Sequence, residues 1–137
     1  MITHVEKKLI LGTAQLGQKY GITNNNRLTN SECHNLISAA IKCGINTFDT
    51  ARDYGDSEQI LGGTLQSKDI KIITKLSSFD TLKGLLNSKQ LLLAIDKSLN
   101  LSSKHLGRNP LDCVLFHRAC QIWDYGSEIF NYLHFHL

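Results

Sequence analysis

The chain has 137 residues, of which 42% are apolar and 20% charged, with one proline, four cysteines and a formal net charge of +3. This composition excludes collagen-like, disordered and low-complexity proteins, and the length predicts a single domain, residues 1–137, that buries a core of its own. No apolar run approaches the roughly 20 residues of a membrane-spanning helix, and the apolar stretch after the charged start is too short for a secretory signal. We therefore predict a cytosolic protein that contacts no membrane, and the scattered basic residues indicate no nucleic-acid partner.

Strands and helices alternate along the chain. Short apolar runs bounded by glycine or loop residues predict strands, and apolar residues at intervals of three and four predict helices. The predicted strands cover residues 8–12, 45–49, 69–75 and 111–117. The first predicted helix is capped by Thr29 and Glu32 and ended by Gly44, and the second is short, capped by Asp56 and Gln59 and weakened by Gly62 and Gly63. Two further helices are predicted over 88–105 and 125–133. Because strands joined through helices run parallel, the predicted fold class is α/β. The mostly apolar strand over 69–75 is typical of a sheet covered by helices on both faces.

Common metal, redox and nucleotide motifs do not fit the sequence. The spacing of the cysteines matches neither a CxxC motif nor a secreted disulfide framework, so we interpret them as reduced packing residues, with a reactive thiol as the alternative. The cysteines are Cys33, Cys43, Cys113 and Cys120. The glycines of the long polar loop after the first strand do not form a GxGxxG fingerprint, because position 14 is Ala14. The histidines and carboxylates show no metal-binding spacing, so no metal site is predicted.

Four ionisable side chains are expected at one edge of the sheet. Asp49, Lys75 and His117 each close a predicted strand, and Tyr54 lies in the loop that leaves the second strand. In parallel α/β folds, functional residues collect at this carboxyl edge. A tyrosine hydroxyl is a poor proton donor at neutral pH, and an adjacent lysine cation improves it by favouring the phenolate. Asp49 would hold that lysine charged, and His117 would orient a carbonyl oxygen, so the set suits carbonyl reduction with a hydride taken from a cofactor.

The order of several motifs resembles that of the aldo/keto reductase family. The motifs are Leu11-Gly12-Thr13, Gly44-Ile45-Asn46-Thr47-Phe48-Asp49-Thr50-Ala51, Tyr54-Gly55-Asp56-Ser57-Glu58, Ile73-Thr74-Lys75-Leu76 and Leu111-Asp112-Cys113-Val114-Leu115-Phe116-His117-Arg118. The resemblance implies a (β/α)8 barrel of the TIM type, NADPH as cofactor and a catalytic tetrad of Asp49, Tyr54, Lys75 and His117. It also implies that Gly12, Thr13 and Asp49 line the nicotinamide end of the cofactor, and that a small aldehyde or ketone is reduced to an alcohol.

The chain holds about the first four βα units of such a barrel, which needs about 250 residues. In the family, further groups that grip the cofactor follow the fifth, sixth and last strands, and 137 residues do not reach them. We therefore expect a truncated chain, arising from a frameshift, a truncation or an incomplete gene model, with weak or absent turnover. The opening Gly12-Thr13-Ala14-Gln15-Leu16-Gly17 is similar to that of bacterial members linked to sugar or surface-polysaccharide metabolism.

Other interpretations stay open. A catalytically silent half-barrel would persist through self-association at its two open sheet edges. A metal-dependent barrel hydrolase is the third interpretation, and the lack of clustered ligands argues against it. Each of the four ionisable residues at the sheet edge also has a structural interpretation by itself, such as a strand-end cap for Asp49 or a core histidine for His117. Their order along the chain, taken together, indicates a reductase site. Arg52 and Asp53 either tune the mouth of the pocket or have no role.

Overall fold

Four parallel strands form one sheet in the computed structural model, which describes residues 9–19, 27–65, 67, 69–79 and 88–136. The strands are β1 (Leu11–Gly12), β2 (Thr47–Asp49), β3 (Lys71–Lys75) and β4 (Cys113–Leu115), and they lie in the order β1-β2-β3-β4. All three pairings are parallel. The predicted α/β class and the four strands are confirmed, with each strand shorter than predicted because pairing stops where the loops diverge. Lys8, predicted in the first strand, lies outside the described residues.

Five helices connect and follow the strands. They are α1 (Ala14–Gly17), α2 (Asn30–Lys42), α3 (Ser57–Thr64), α4 (Ser88–Leu106) and α5 (Cys120–His136). The four predicted helices are confirmed, and α4 matches its prediction to within one residue. The short α1 was not predicted, since one turn gives no apolar periodicity. Helix α5 begins five residues earlier than predicted, because Gln121 accepts a hydrogen bond from the N–H of Arg118 and orders the first turn.

The predicted caps differ in outcome. Helix α2 has the complete capping box, in which the Thr29 N–H donates to Glu32 Oε2 over 2.8 Å and the Glu32 N–H donates to Thr29 Oγ1 over 3.3 Å. The hydrogen bonds from Thr29 lower the pKa of Glu32 below its usual value. Asp56 is the residue before α3, but its side chain makes no capping bond. Its carboxylate instead accepts a bond from Arg27 over 2.6 Å, so that part of the prediction is wrong.

The helices cover one face of the sheet, and the expectation of two covered faces is wrong. Alternation along β3 buries Ile72 and Thr74 and leaves Ile73 and Lys75 half-buried on the opposite face. Phe48 of β2 is fully buried, whereas Asp49 beside it is not. This one-sided covering is what the first units of a barrel require, because the second face of the sheet lines the interior.

Two apolar clusters lie between the sheet and the helices. The first joins β2 and β3 to α2 and α3 around Ile37, Phe48 and Leu61. The second joins α4 to α5 around Ile95 and Ile129, with Val114 of β4 packed against it. The clusters therefore hold the carboxyl ends of β2, β3 and β4 in fixed positions beside one another.

The two adjacent glycines of α3 have different roles. A methyl group at Gly62 would strike the backbone carbonyl of His105, where α4 ends against α3. A methyl group at Gly63 would meet no atom within 4 Å in the described part of the chain. Gly62 therefore permits the close approach of α3 and α4, and Gly63 only weakens the helix.

We expect opposite effects from replacing these glycines. Gly62→Ala should lower the free energy of unfolding by about 1–3 kcal/mol, because backbone must move to admit the methyl group. Gly63→Ala should raise it by up to about 1 kcal/mol, since alanine is the better helix former. Urea unfolding followed by circular dichroism measures both, and equal effects of the two variants would contradict the packing role of Gly62.

The cysteines only partly fit their interpretation as packing residues. All four are free thiols, and Cys33 is fully buried, where burial raises the pKa of its thiol. Cys43, Cys113 and Cys120 are exposed, so for these three the packing interpretation is wrong. Within the described ranges, no helix is both long and apolar enough to cross a membrane.

Candidate active site

The register of the sheet brings Asp49 and Lys75 together. Asp49 lies opposite Ile73, so Lys75, two residues further along β3, projects from the same face just beyond it. The Nζ atom of Lys75 donates to Asp49 Oδ1 over 2.5 Å and to the backbone carbonyl of Thr50 over 2.9 Å. The ammonium group is therefore fixed in position at the carboxyl edge of the sheet.

Tyr54 and His117 stand beside this ion pair. The Nζ atom of Lys75 lies 5.1 Å from the centre of the Tyr54 ring. The ring of His117, two residues past the end of β4, packs edge-to-face against Tyr54 with 5.9 Å between the ring centres. The four side chains thus come from three strand ends and one loop, and they form a single group at one rim.

One nitrogen of His117 is unusual. Its Nδ1 atom is buried and makes no hydrogen bond to any described residue. The nearest acidic atom paired with it is Oδ2 of Asp53, at 4.0 Å. A buried polar atom without a partner costs free energy, and such atoms are common where a ligand supplies the missing contact.

The loop that carries Tyr54 is held by backbone contacts. The N–H groups of Thr50 and Arg52 donate to the carbonyls of Ile73 over 2.8 Å and of Lys75 over 3.2 Å. On the other side, Gly17 and Gly55 lie so close that a methyl group on either would strike the backbone of the opposite segment. Gly55 also has a φ of +57°, which favours glycine. The sequence analysis showed only that the loop glycines do not form a nucleotide-binding GxGxxG motif. The role of Gly17 in positioning the Tyr54 loop becomes visible only in the fold.

Buried hydroxyl groups lie directly beneath the rim. The Ser57 hydroxyl donates to Thr13 Oγ1 over 2.8 Å and accepts from Thr50 Oγ1 over 3.0 Å. The hydroxyl of Thr13 in turn donates to the carbonyl of Asp49 over 2.8 Å. The side chain of Thr13 is thus occupied in holding the end of β2, while neighbouring Gly12 is exposed and would leave a methyl group free of contacts within 4 Å among the described residues.

A buried carboxylate holds the loop from below. Glu58 of α3 is 0% exposed, and it accepts hydrogen bonds from Arg52 and, over 2.7 Å, from the hydroxyl of Thr74. Arg52 also contacts Nδ1 of His105 over 2.7 Å. Burial and the positive charge of Arg52 lower the pKa of His105, so its neutral imidazole accepts this bond at pH 7. Arg52, whose role the sequence left open, therefore points inward and does not line the pocket mouth.

Glu58 was part of a recognised motif, yet no role was predicted for it. A signal was available, because Glu58 lies three residues before Leu61 on the buried face of α3. A carboxylate on the apolar face of a helix is rarely buried without a cationic partner. The partner Arg52 could not be named from the pattern, since it lies in a loop.

A sequence profile of the Aldo/keto reductase family matches residues 8–134. The chain belongs to the aldo/keto reductase family. Members of this family are oxidoreductases that act on carbonyl compounds with a nicotinamide cofactor. The resemblance noted in the motifs is thereby confirmed for the family, while the roles of single residues stay predictions.

Solved aldo-keto reductases have the same fold. A protein of Pseudomonas aeruginosa described as an aldo-keto reductase is 28% identical with a TM-score of 0.69, over 93% of this chain and 49% of that one. An aldo-keto reductase from Bacillus halodurans in its holo form is 20% identical with a TM-score of 0.67, over 93% of this chain and 41% of that one. A thermostable aldo-keto reductase in complex with the inhibitor epalrestat is 24% identical with a TM-score of 0.63, over 93% of this chain and 46% of that one.

The chain spans less than half the length of these solved relatives. Its sheet and helices correspond to the first four βα units of the (β/α)8 barrel that the family motifs imply. Among the described residues, no three histidine, cysteine or acidic side chains are grouped so as to hold a metal ion.

Proposed function

We propose that this chain carries the proton-donating and carbonyl-binding part of an NADPH-dependent reductase that converts an aldehyde or ketone to an alcohol. The observation that supports this most directly is the position of the Lys75 ammonium group. It is bonded to Asp49 over 2.5 Å and lies 5.1 Å from the ring centre of Tyr54. A charged lysine held beside a phenol favours proton release from that phenol.

Each rim residue has a part in the proposed reaction. Tyr54 donates its hydroxyl proton to the carbonyl oxygen as general acid, and Lys75 stabilises the phenolate that is left. Asp49 holds the ammonium group of Lys75 in place. His117, 5.9 Å from Tyr54 between ring centres, orients the carbonyl oxygen toward the phenol.

The residues at the end of β1 fit the nicotinamide part of the cofactor. Exposed Gly12 lets a flat ring approach the backbone, and Asp49 is its partner on the neighbouring strand. Thr13 shapes this end by holding the Asp49 carbonyl. NADPH, when bound, supplies the hydride that no side chain can supply.

Carbonyl-dependent oxidation of NADPH by the purified 137-residue chain tests this function. We expect slow turnover, because the chain spans less than half the length of its solved relatives and we expect a weak hold on the cofactor. The rate should depend on added aldehyde and should exceed the rate with NADH. Tight NADPH binding by calorimetry would contradict the weak hold, and cofactor oxidation that is independent of the carbonyl compound would contradict the reaction itself.

A silent half-barrel that persists through self-association is the second candidate. Large apolar side chains are exposed near the two edge strands, namely Leu9, Ile10, Leu115, Ile122 and Trp123, the last of which is 89% exposed. An open parallel sheet with such edges recruits further strands or chains. Light scattering at high protein concentration should then give the mass of a dimer or larger species, and a stable monomer would contradict this candidate.

A further inference from the structure

Asp53, whose role the sequence left open, is fixed at the same rim. Its Oδ2 atom accepts a hydrogen bond from the N–H of Ser78 over 2.8 Å, and its Oδ1 atom accepts one from the hydroxyl of Ser77 over 2.9 Å. Both serines follow β3. The carboxylate therefore connects the loop that carries Tyr54 to the loop that follows Lys75.

The two serines that bind Asp53 are themselves held in position. Gln121 of α5 donates its side-chain amide to the carbonyls of Ser77 over 2.8 Å and Ser78 over 3.1 Å. The N–H of Ser77 donates to Ser98 Oγ of α4 over 3.1 Å. The serine loop is thus held by two helices, so Asp53 has little freedom to turn away from the rim.

The carboxylate of Asp53 carries its charge at neutral pH. Burial by itself would raise the pKa of Asp53, but the hydrogen bonds from Ser78 and Ser77 and the attraction of His117 outweigh it and lower the pKa below its usual value. Two cations of the neighbouring segments have other acidic partners. Lys75 is paired with Asp49 and Arg52 with Glu58, while the carboxylate of Asp53 lies 4.0 Å from the imidazole Nδ1 of His117.

This carboxylate lies beside His117, the residue proposed to orient the carbonyl oxygen. Oδ2 of Asp53 lies 4.0 Å from Nδ1 of His117, and the Asp53 side chain is 32% exposed. A substrate whose carbonyl oxygen lies between His117 and Tyr54 would bring its neighbouring groups within several ångströms of Asp53. Like charges at such distances repel strongly where water is partly excluded.

We propose that Asp53 is a specificity residue that selects against carbonyl compounds carrying a carboxylate or phosphate near the carbonyl group and favours uncharged, hydroxyl-bearing ones. The inference rests on the proposed carbonyl reduction. Hydroxyl groups can donate to the free lone pairs of the carboxylate, whereas an anion meets only repulsion. We expect the discrimination against an anion to be about tenfold or more at low ionic strength.

The test compares two aldehydes of nearly equal shape, glyoxylamide and glyoxylate, in which the amide or the carboxylate is bonded directly to the aldehyde carbon, with the whole chain and NADPH at low salt. The ratio of kcat/KM for the amide to that for the carboxylate should be about 10 or more. It should fall about tenfold in Asp53→Asn, and it should fall in the unchanged chain as salt is added. Asp69→Asn, which removes the same charge near the start of β3, should leave the ratio as it is.

Binding of the same two aldehydes, followed by NMR at the His117 ring, separates this proposal from the proposed function. If neither aldehyde is reduced but Asp53→Asn still tightens binding of the carboxylate relative to the amide, the reductase function is wrong and the charge selection stands. The role of Asp53 is overturned if neither Asp53→Asn nor added salt changes the preference for the amide over the carboxylate, in kinetics and in binding. If Asp53→Asn does not fold, the salt dependence of the unchanged chain decides in the same way.

Discussion

Tyr54→Phe is expected to lower the rate of carbonyl reduction by about 10²- to 10⁴-fold, the usual contribution of a general acid. The substitution removes only the hydroxyl group. The ring can still pack 5.9 Å from His117 and beside the Lys75 ammonium group, so the fold and the rim should be retained. The measurement is carbonyl-dependent NADPH oxidation, with near-ultraviolet circular dichroism to show that packing is unchanged.

Tyr132→Phe is the matched control for this change. Tyr132 lies on α5, and its hydroxyl donates to Asp96. That hydrogen bond raises the pKa of Tyr132 to about 12, which makes it a poor proton donor. We expect at most a small loss of stability and no specific loss of reduction. Equal rates for Tyr54→Phe and Tyr132→Phe would show that Tyr54 is not the acid.

Glu58→Ala should lower the free energy of unfolding by about 3–5 kcal/mol, because the largely buried positive charge of Arg52 then lacks its acidic partner. Glu58 is fully buried, and its loss removes acceptors from both Arg52 and Thr74. The melting temperature should fall by about 10 °C or more. Since Arg52 lies in the loop of Tyr54, the site should be disturbed before the whole chain unfolds.

Two further variants make the Glu58 prediction decisive. Glu58→Gln keeps a hydrogen-bonding oxygen but not the charge, so we expect an intermediate loss of about 1–3 kcal/mol. Glu128→Ala removes a carboxylate that accepts a hydrogen bond from the adjacent Ser127 on the surface of α5, and it should cost no more than about 0.5 kcal/mol. Similar unfolding curves for Glu58→Ala and Glu128→Ala would contradict a stabilising role of the buried pair.

Local patterns predicted most of the fold. The capping box of Thr29 and Glu32, the end of α2 at Gly44 and the extent of α4 all follow from local sequence patterns. One error arose where a contact from far along the chain intervened, and another arose from a local hydrogen bond that apolar periodicity does not show. Asp56 fails to cap α3 because Arg27 takes its carboxylate, and α5 starts early because Gln121 bonds the N–H of Arg118.

In the candidate site, too, some residues could be placed from the sequence and others could not. Strand ends placed Asp49, Lys75 and His117 at one edge, since parallel strands all present their carboxyl ends there. The different directions of Arg52 and Asp53 could not be predicted, because adjacent loop residues have no periodic face. Arg52 turns inward to Glu58 and His105, and Asp53 turns to the serines after β3.

The amino-acid sequence alone determined the order of the four strands and of helices α2 to α5, the α/β class and the four residues at the rim, because hydrophobic periodicity and strand ends are local properties. Tertiary structure decided which backbone segments touch, as at Gly62 against the end of α4 and Gly17 against the loop of Tyr54. It also decided which charges are paired, and it placed the carboxylate of Asp53 4.0 Å from Nδ1 of His117. Apart from the Arg52–Glu58 pair, these contacts join residues far apart in the chain, such as Asp49 and Lys75, which are 26 positions apart. Only the packing of the helices on the sheet and the pairing of the strands bring such residues together.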